Sequence, residues 1–205
     1  YQLTYTIDMK NTELSRRDFV KSLGLGALGM LLPKAKPAEA KLFGWGHDTR
    51  LGRILRYKLQ VKTEPSHLAD NLDMLLYDEV LPIRNLVHTT DILGKKIGWY
   101  EIGPGQYIEA AWVQPVYNRP SPINNDPIPE GGCLGETCVP IVPVYHQPNR
   151  RNVMRNFYYE NNFWILNQQK DEFGIPWYEL WDDLSGVSYF VKATDIRRTK
   201  PEEVL

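Results

Sequence analysis

Two four-residue blocks, Trp99-Tyr100-Glu101-Ile102 and Trp177-Tyr178-Glu179-Leu180, decide the fold of this 205-residue chain. They lie 78 positions apart, and other blocks recur around them in the same order. Upstream, Leu51-Gly52-Arg53 returns as Leu134-Gly135-Glu136 at an offset of 83. These recurring blocks indicate that the chain contains two copies of one internal repeat, and each motif is interpreted by its position within that repeat.

The repeat continues on both sides of these blocks. Leu76-Tyr77-Asp78 matches Tyr158-Tyr159-Glu160 at an offset of 82, and residues 107–113 match residues 190–196 at an offset of 83. The blocks keep their order, and the insertions between them fall where Gly, Pro, Asn and Asp indicate turns. This ordered agreement indicates two domains of similar size.

The repeated blocks are predicted to be short strands. Residues 56–62 alternate polar and apolar side chains, which is the two-residue period of a half-buried strand. Residues 75–83 and 157–166 are longer β-rich runs, and the closing strands are expected to end at Val113 and Ile196. After residue 40 no sustained helical pattern occurs. The sequence therefore predicts an all-β fold with two small antiparallel barrels in tandem.

The domain boundaries follow from composition. We predict a first domain at residues 41–117, a proline-rich linker at 118–130 and a second domain at 131–199, with a further linker starting at 200–205. Four prolines make the linker at 118–130 extended and fairly stiff. Because the chain begins with Tyr1 and not with Met, we expect it to be part of a longer protein.

The near-zero net charge of the chain limits the kinds of molecule that it is expected to bind. The 24 Lys and Arg residues nearly balance the 25 Asp and Glu residues, which excludes the chain-wide basic surface of a nucleic-acid-binding protein. We therefore expect no nucleic-acid partner. Two cysteines are too few to hold a small secreted scaffold together, so burial of apolar side chains must stabilise the fold.

The first forty residues are predicted to be a targeting segment with a signal-peptide helix. Arg16 and Arg17 are followed by Phe19, then by a short glycine-containing apolar run and by the small-x-small sequence at residues 38–40. This segment resembles a twin-arginine export signal; an amphipathic or membrane-anchoring helix is the alternative. The resemblance implies recognition by the twin-arginine export machinery, only transient membrane contact, and a location in the cell wall, the periplasm or the extracellular space.

The remaining residues resemble bacterial SH3-like domains. More narrowly, they resemble the tandem SH3-like region that precedes the catalytic domain of exported L,D-transpeptidases. The matching segments are residues 51–53, 75–80, 98–102, 106–108, 129–132 and 177–178. The resemblance covers about residues 51–201. It implies two SH3-like barrels, a peptidoglycan glycan or stem peptide as partner, and cross-linking or remodelling of peptidoglycan by a cysteine nucleophile.

The catalytic motif that this family requires does not occur in the sequence. The nearest segment, Gly131-Gly132-Cys133-Leu134, lacks the Ser or His two positions before the glycine, and Gly135 stands where Arg is expected. No histidine is followed by Gly. We therefore predict no catalytic residue within this chain, and expect catalysis, if the protein has it, beyond Leu205. We also expect no cofactor and no metal site.

Cys133 and Cys138 leave two alternatives open. They are five positions apart in a protein expected to reach an oxidising compartment, so they either form a disulfide across a small loop or remain two free, buried thiols.

Aromatic residues near the strand ends are the candidate ligand-binding positions. Their rings could stack on sugars, and the alternative is that most of them fill the cores of the domains. Trp112 and Trp181 are the better surface candidates, because each replaces a polar residue of the other repeat or borders a turn. The full candidate set is Trp99, Tyr100, Trp112, Trp177, Tyr178 and Trp181.

Three functions are compatible with these features. The first is a pair of non-catalytic, cell-wall-targeting or spacer modules of an exported L,D-transpeptidase. The second is a stand-alone SH3-like envelope-binding protein without a catalytic domain. The third is an exported redox subunit, and the lack of cofactor-ligand motifs argues against it.

Overall fold

The computed structural model describes residues 48–182 and 185–203, and their regular structure is entirely β apart from short 3-10 turns. This confirms the all-β prediction. The predicted signal-peptide helix at residues 1–40, with Arg16, Arg17 and Phe19, lies outside the described residues. Within the described ranges, no helix has the length and apolar character that a transmembrane span requires.

Residues 51–116, called the first half here, form two antiparallel sheets. One has three strands in the order β4-β1-β8, and the other has five in the order β3-β2-β7-β6-β5. The strands are β1 (Leu51–Ile54), β2 (Lys58–Lys62), β3 (Asn71–Leu76), β4 (Val80–Pro82), β5 (Leu86–Thr90), β6 (Lys96–Gly103), β7 (Gln106–Glu109) and β8 (Val113–Val116).

Residues 133–198, called the second half here, also form two antiparallel sheets. The strands are β9 (Cys133–Thr137), β10 (Ile141–Val144), β11 (Arg155–Tyr158), β12 (Asn162–Lys170), β13 (Pro176–Asp182), β14 (Val187–Lys192) and β15 (Ile196–Arg198). Five of them pair in the order β14-β13-β12-β9-β15, and β10 pairs with β11. A single bridge between Tyr145 and Phe190 connects the two sheets.

The sheets differ from the prediction in one respect: among the described residues, none closes into a hydrogen-bonded barrel. Proline provides a physical reason. β8 contains Pro115 and β10 contains Pro143, and both strands lie at the edge of their sheets. A proline lacks the N–H group that would extend the ladder to a further strand. The sheets of each half therefore stay open and pack around an apolar core.

The two long β-rich runs are each broken by a turn. β3 ends at Leu76 and β4 begins at Val80, while β11 ends at Tyr158 and β12 begins at Asn162. At each break a non-glycine residue has a left-handed backbone conformation, with φ of 66° at Asp78 and 63° at Glu160. These two residues are aligned in the sequence repeat. Each of the β-rich runs at 75–83 and 157–166 is therefore divided into two strands by a turn whose backbone conformation few non-glycine residues adopt.

The closing strands also differ from their predicted bounds. Val113 and Ile196 begin the last strand of each half instead of ending it. A 3-10 turn precedes each of them, at Ala110–Trp112 in the first half and at Ala193–Asp195 in the second. These turns carry the chain from the larger sheet to β8 in the first half, and from β14 to β15 in the second.

Glycines at aligned positions allow the same close packing in both halves. A Cβ atom added at Gly52 would lie 2.5 Å from Val113 and 2.7 Å from Ile83. At Gly135 it would lie 2.6 Å from Ile165 and 2.7 Å from Ile196. Val113 and Ile196 are themselves aligned. Because a Cβ this close would force the core side chains to shift, glycine at both positions allows the first strand to approach the core.

The proline-rich segment at 118–130 lies along the second half. The backbone N–H of Ser121 donates to the Thr194 carbonyl at 2.7 Å, and that of Arg119 donates to the Cys138 carbonyl at 3.0 Å. Arg198 donates from Nη1 to the Asp126 carbonyl at 2.8 Å. These contacts hold the segment against the second half along most of its length.

A buried polar cluster joins the two halves. Arg53 Nη1 donates to Asp78 Oδ1 at 2.6 Å, and both side chains are more than 90% buried. Tyr158 of the second half covers this ion pair: its ring centre lies 3.8 Å from the Arg53 guanidinium carbon, and its hydroxyl donates to Asp78 Oδ2 at 3.0 Å. Gln114 accepts from Arg53 Nε at 3.0 Å. We call Arg53, Asp78, Gln114 and Tyr158 the junction cluster.

Candidate ligand-binding surface

Four of the six candidate aromatic residues are buried in the cores. Trp99, Tyr100, Trp177 and Tyr178 are each at most 5% exposed. Their polar atoms are used within the fold, since Trp99 Nε1 donates to Thr89 at 3.0 Å and the Tyr178 hydroxyl accepts from Arg198 at 3.1 Å. Their rings therefore stabilise the fold and do not present a face to a ligand in this structure.

The other two candidates differ in exposure. Trp181 is half-buried on β13, opposite Trp164 of β12 and Ser188 of β14. Trp112 lies in the 3-10 turn before β8 and is 39% exposed. Trp112 is therefore the more accessible of the two, because the short turn lifts it from the sheet.

Exposed side chains surround Trp112. The backbone N–H of Leu55 donates to the Trp112 carbonyl at 2.9 Å, which holds the turn at residues 55–57 beside the indole. The Arg56 guanidinium carbon lies 5.0 Å from the centre of the Trp112 ring, within the range of a cation–π contact. Tyr57 is 75% exposed. We call Leu55, Arg56, Tyr57 and Trp112 the Trp112 surface.

The Trp112 surface combines two binding chemistries. An indole and a phenol ring provide apolar faces that can stack on a sugar ring, and the phenol adds a polar group. A guanidinium donates paired hydrogen bonds to a carboxylate. Because the Arg56 guanidinium lies over the indole, both chemistries are available within a few ångströms of each other. The arrangement suits a ligand that carries both sugar rings and carboxylates.

Sequence reasoning missed Arg56 and Tyr57. The alternation of residues 56–62 assigned both to a strand, whereas β2 begins at Lys58 and both residues lie in the preceding turn. The signal that could have found them is the run Leu55-Arg56-Tyr57, because large apolar and aromatic side chains at a turn are not buried by strand pairing.

Cys133 and Cys138 are both free thiols in the structure. They lie at the start of β9 and immediately after its end, so five steps along an extended strand separate their Cα atoms by roughly 16 Å. A disulfide requires a Cα separation of less than about 7 Å. Burial is the largest effect on the pKa of the Cys138 thiol and raises it to about 11, and burial also raises the pKa of Cys133.

The described part of the chain contains no group of three or more His, Cys, Asp or Glu side chains arranged to hold a metal ion.

No family model and no curated protein sequence matches the chain. Among solved structures, it is similar to NlpC2 from Trichomonas vaginalis, with a TM-score of 0.26 and 13% identity over 76% of this chain. It is also similar to Ly7917, with a TM-score of 0.26 and 11% identity over 76% of this chain. The chain spans 50% of the first structure and 63% of the second. Scores this low assign neither a family nor a function.

Proposed function

We propose that this chain is a non-catalytic, cell-wall-targeting or spacer region of an exported L,D-transpeptidase that remodels peptidoglycan. The observation that carries the targeting role is the Trp112 surface, where an accessible indole lies under the Arg56 guanidinium and the exposed Tyr57 is the next residue of the same turn. Peptidoglycan presents sugar rings together with the carboxylates of its stem peptides, which are the two groups that this surface can bind.

The distribution of the aromatic side chains supports this assignment. Four of the six candidate aromatic residues are buried in the cores. By contrast, Trp112 is 39% exposed and Tyr57 is 75% exposed. Exposed apolar side chains that form a contiguous patch mark interaction sites more often than isolated ones do, and Trp112 is in contact with the turn at residues 55–57. The SH3-like identity of both domains and their two-domain arrangement belong to this proposal and rest on the sequence resemblance.

Retention on purified peptidoglycan sacculi tests the targeting role. We expect the full chain to sediment with sacculi, and expect Trp112→Ala to weaken retention roughly tenfold, as loss of a central aromatic contact does. Arg56→Gln removes the charge and keeps most of the side-chain length, so it should weaken retention to a smaller extent. Leu93→Ala is the matched control, because Leu93 is an 86% exposed apolar side chain of a different turn.

Two results would contradict the targeting role. One is a full chain that does not sediment with sacculi, and the other is Trp112→Ala retained as well as Leu93→Ala. The transpeptidase part is tested separately by the coding sequence beyond Leu205. A His-Gly pair and a Ser-x-Gly-Cys segment are expected there; if both are missing, the chain is the stand-alone envelope-binding protein instead.

A further inference from the structure

A cavity of about 390 Å³ opens in the second half, away from the Trp112 surface. It lies between the loop that joins β10 to β11 and the turn that joins β12 to β13. Its walls carry two guanidinium groups on one side and two carboxylates, a phenyl ring and an aliphatic side chain on the other. The lining residues are Asn149, Arg150, Arg151, Asp171, Glu172, Phe173 and Ile175.

The cationic wall is held in place by its own loop. The backbone N–H of Arg151 donates to Asn149 Oδ1 at 3.0 Å, and Asn149 Nδ2 donates to Gln147 Oε1 at 3.1 Å. Arg150 and Arg151 are exposed, and neither forms a salt bridge with any residue that the structure describes. Two guanidinium groups in a cavity without an ion-pair partner are suited to binding an anion.

The carboxylate of Asp171 attracts the nearby Arg150 but forms no direct salt bridge with either arginine, and its hydrogen-bonding capacity is used by its own turn. Oδ1 accepts from the backbone N–H groups of Phe173 at 2.9 Å and Ile175 at 2.8 Å, and Oδ2 accepts from Trp177 Nε1 at 3.0 Å. Desolvation opposes the charge of Asp171, but these donors and the nearby Arg150 outweigh it and lower its pKa. Asp171 is therefore an ionised structural group with little capacity left for a ligand.

The apolar wall is accessible. Phe173 is 79% exposed at the tip of the turn, and Ile175 is half-buried beside it. Glu172 is exposed between Asp171 and Phe173, so its carboxylate is available to accept a hydrogen bond from a ligand N–H. The cavity thus offers cationic, apolar and hydrogen-bond-accepting groups within one opening.

The first half contains the same turn but a different neighbouring loop. Asp91 Oδ1 accepts from the backbone N–H groups of Leu93 and Lys95, as Asp171 does from Phe173 and Ile175. The loop beside it, however, is folded onto the core: the His67 ring centre lies 5.0 Å from that of Trp99.

At the positions of the sequence repeat, His67 aligns with Arg150. In the second half, Trp177 packs against Tyr145, with ring centres 5.4 Å apart, and the arginine side chains line the cavity instead of covering the tryptophan. The turn is therefore shared, whereas the arginine-lined cavity is built by residues particular to the second half.

We propose that this cavity binds the free C-terminal carboxylate of a peptide. Arg150 and Arg151 bind the carboxylate, Phe173 and Ile175 contact the terminal apolar side chain, and Glu172 accepts from a peptide N–H. The proposal concerns a site that does not depend on the Trp112 surface; with a wall peptide as the ligand it would rest on the proposed cell-wall function and deepen it, and with a protein C-terminus it goes beyond that function. The same chemistry occurs at the D-amino-acid end of a wall stem peptide and at the L-amino-acid end of a protein, and the two sources are distinguished below.

The test is a titration of the ¹⁵N-labelled full chain followed by NMR, with acetyl-D-Ala-D-Ala, acetyl-L-Ala-L-Ala and the C-terminal amide of the D peptide. We expect at least one free acid to shift the amide signals of residues 149–151 and 172–175. The amide should bind at least about tenfold more weakly, because it removes charge-assisted hydrogen bonds. Preference for the D acid identifies wall peptides as the source, and preference for the L acid identifies protein C-termini. Equal binding of both acids supports carboxylate recognition that is independent of the source.

The double variant Arg150→Gln/Arg151→Gln should weaken binding of the acid to the level of the amide. Arg84→Gln is its control, because Arg84 is an exposed arginine of the first half. Thermal midpoints equal to that of the control show that the variant is folded. The proposal is overturned if acid and amide bind alike, if neither acid shifts these signals, or if the double variant binds as the control does. Trp112→Ala should leave these shifts unchanged, so the outcome is separate from that of the sacculus experiment.

Discussion

Cys138 is a buried thiol, and its burial lowers its reactivity. Its sulfur lies 3.6 Å from the Thr194 carbonyl, and its pKa of about 11 leaves about one thiolate in a thousand at pH 8. We predict slow reaction of the native protein with a thiol reagent such as dithionitrobenzoate at pH 8. The rate at Cys138 should rise about tenfold per pH unit up to about pH 11, because the thiolate is the reacting form.

Unfolding in guanidinium without a reductant should release both thiols at once. The single variants Cys133→Ala and Cys138→Ala then assign the native rates to each position. A count of zero thiols after unfolding would mean that the two cysteines are joined in the protein, which would require β9 to be broken. The buried thiol also makes the free energy of unfolding depend on pH. Because folding raises the pKa of Cys138, the stabilising contribution of its protonated form is complete below about pH 9 and is lost as the pH rises towards 11.

At the level of the element, the first strand of each half depends on a glycine. We predict that Gly52→Ala and Gly135→Ala each lower the free energy of unfolding by about 1–3 kcal/mol, because the new methyl group overlaps β-branched side chains of the core. Urea unfolding followed by tryptophan fluorescence measures this. Gly98→Ala is the control: its added Cβ meets no atom closer than 3.3 Å, and that atom is the end of a leucine side chain. Equal losses in all three variants would contradict the packing argument.

Strand positions were predictable where the repeat and the two-residue alternation agree. The block at Trp99–Ile102 lies within β6, and the block at Trp177–Leu180 lies within β13. The turn at Asp78 was not predictable, since it depends on a long-range contact: the carboxylate that the left-handed turn presents pairs with Arg53, 25 residues earlier. Such a pair leaves no local signal in the sequence.

The candidate binding sites were also only partly predictable, because contacts between distant residues leave no local signal in the sequence. Trp112 could be selected from the sequence because its aligned position is Asp195, a polar residue. Its neighbours Arg56 and Tyr57 could not, because strand alternation continued through them. The arginine-lined cavity could not be predicted from the sequence either. Its residues are about 20 positions apart, and the packing of a loop against a turn brings them together.

For the whole molecule, the junction cluster determines how the two halves are presented. The Tyr77 hydroxyl lies 3.4 Å from that of Tyr158, and the Tyr77 backbone N–H donates to the Tyr57 carbonyl at 3.4 Å. A short chain of contacts therefore leads from the second half to the Trp112 surface. Burial is the main cause that raises the pKa of Tyr158, so its hydroxyl remains protonated and can donate to Asp78 at neutral pH.

We predict that the junction cluster makes the two halves one rigid unit. Tyr158→Phe should lower the free energy of unfolding by about 2 kcal/mol, because it removes the hydrogen bond to the charged Asp78 and the contact with the Tyr77 hydroxyl, and keeps the ring over Arg53. Tyr158→Ala also removes the ring, and should increase the radius of gyration in small-angle X-ray scattering as the halves separate. Tyr159→Phe is the control, because the structure gives its hydroxyl no hydrogen bond within the described residues. If Tyr158→Ala scatters as Tyr159→Phe does, the proline-rich segment and its contacts with the second half hold the arrangement without the cluster.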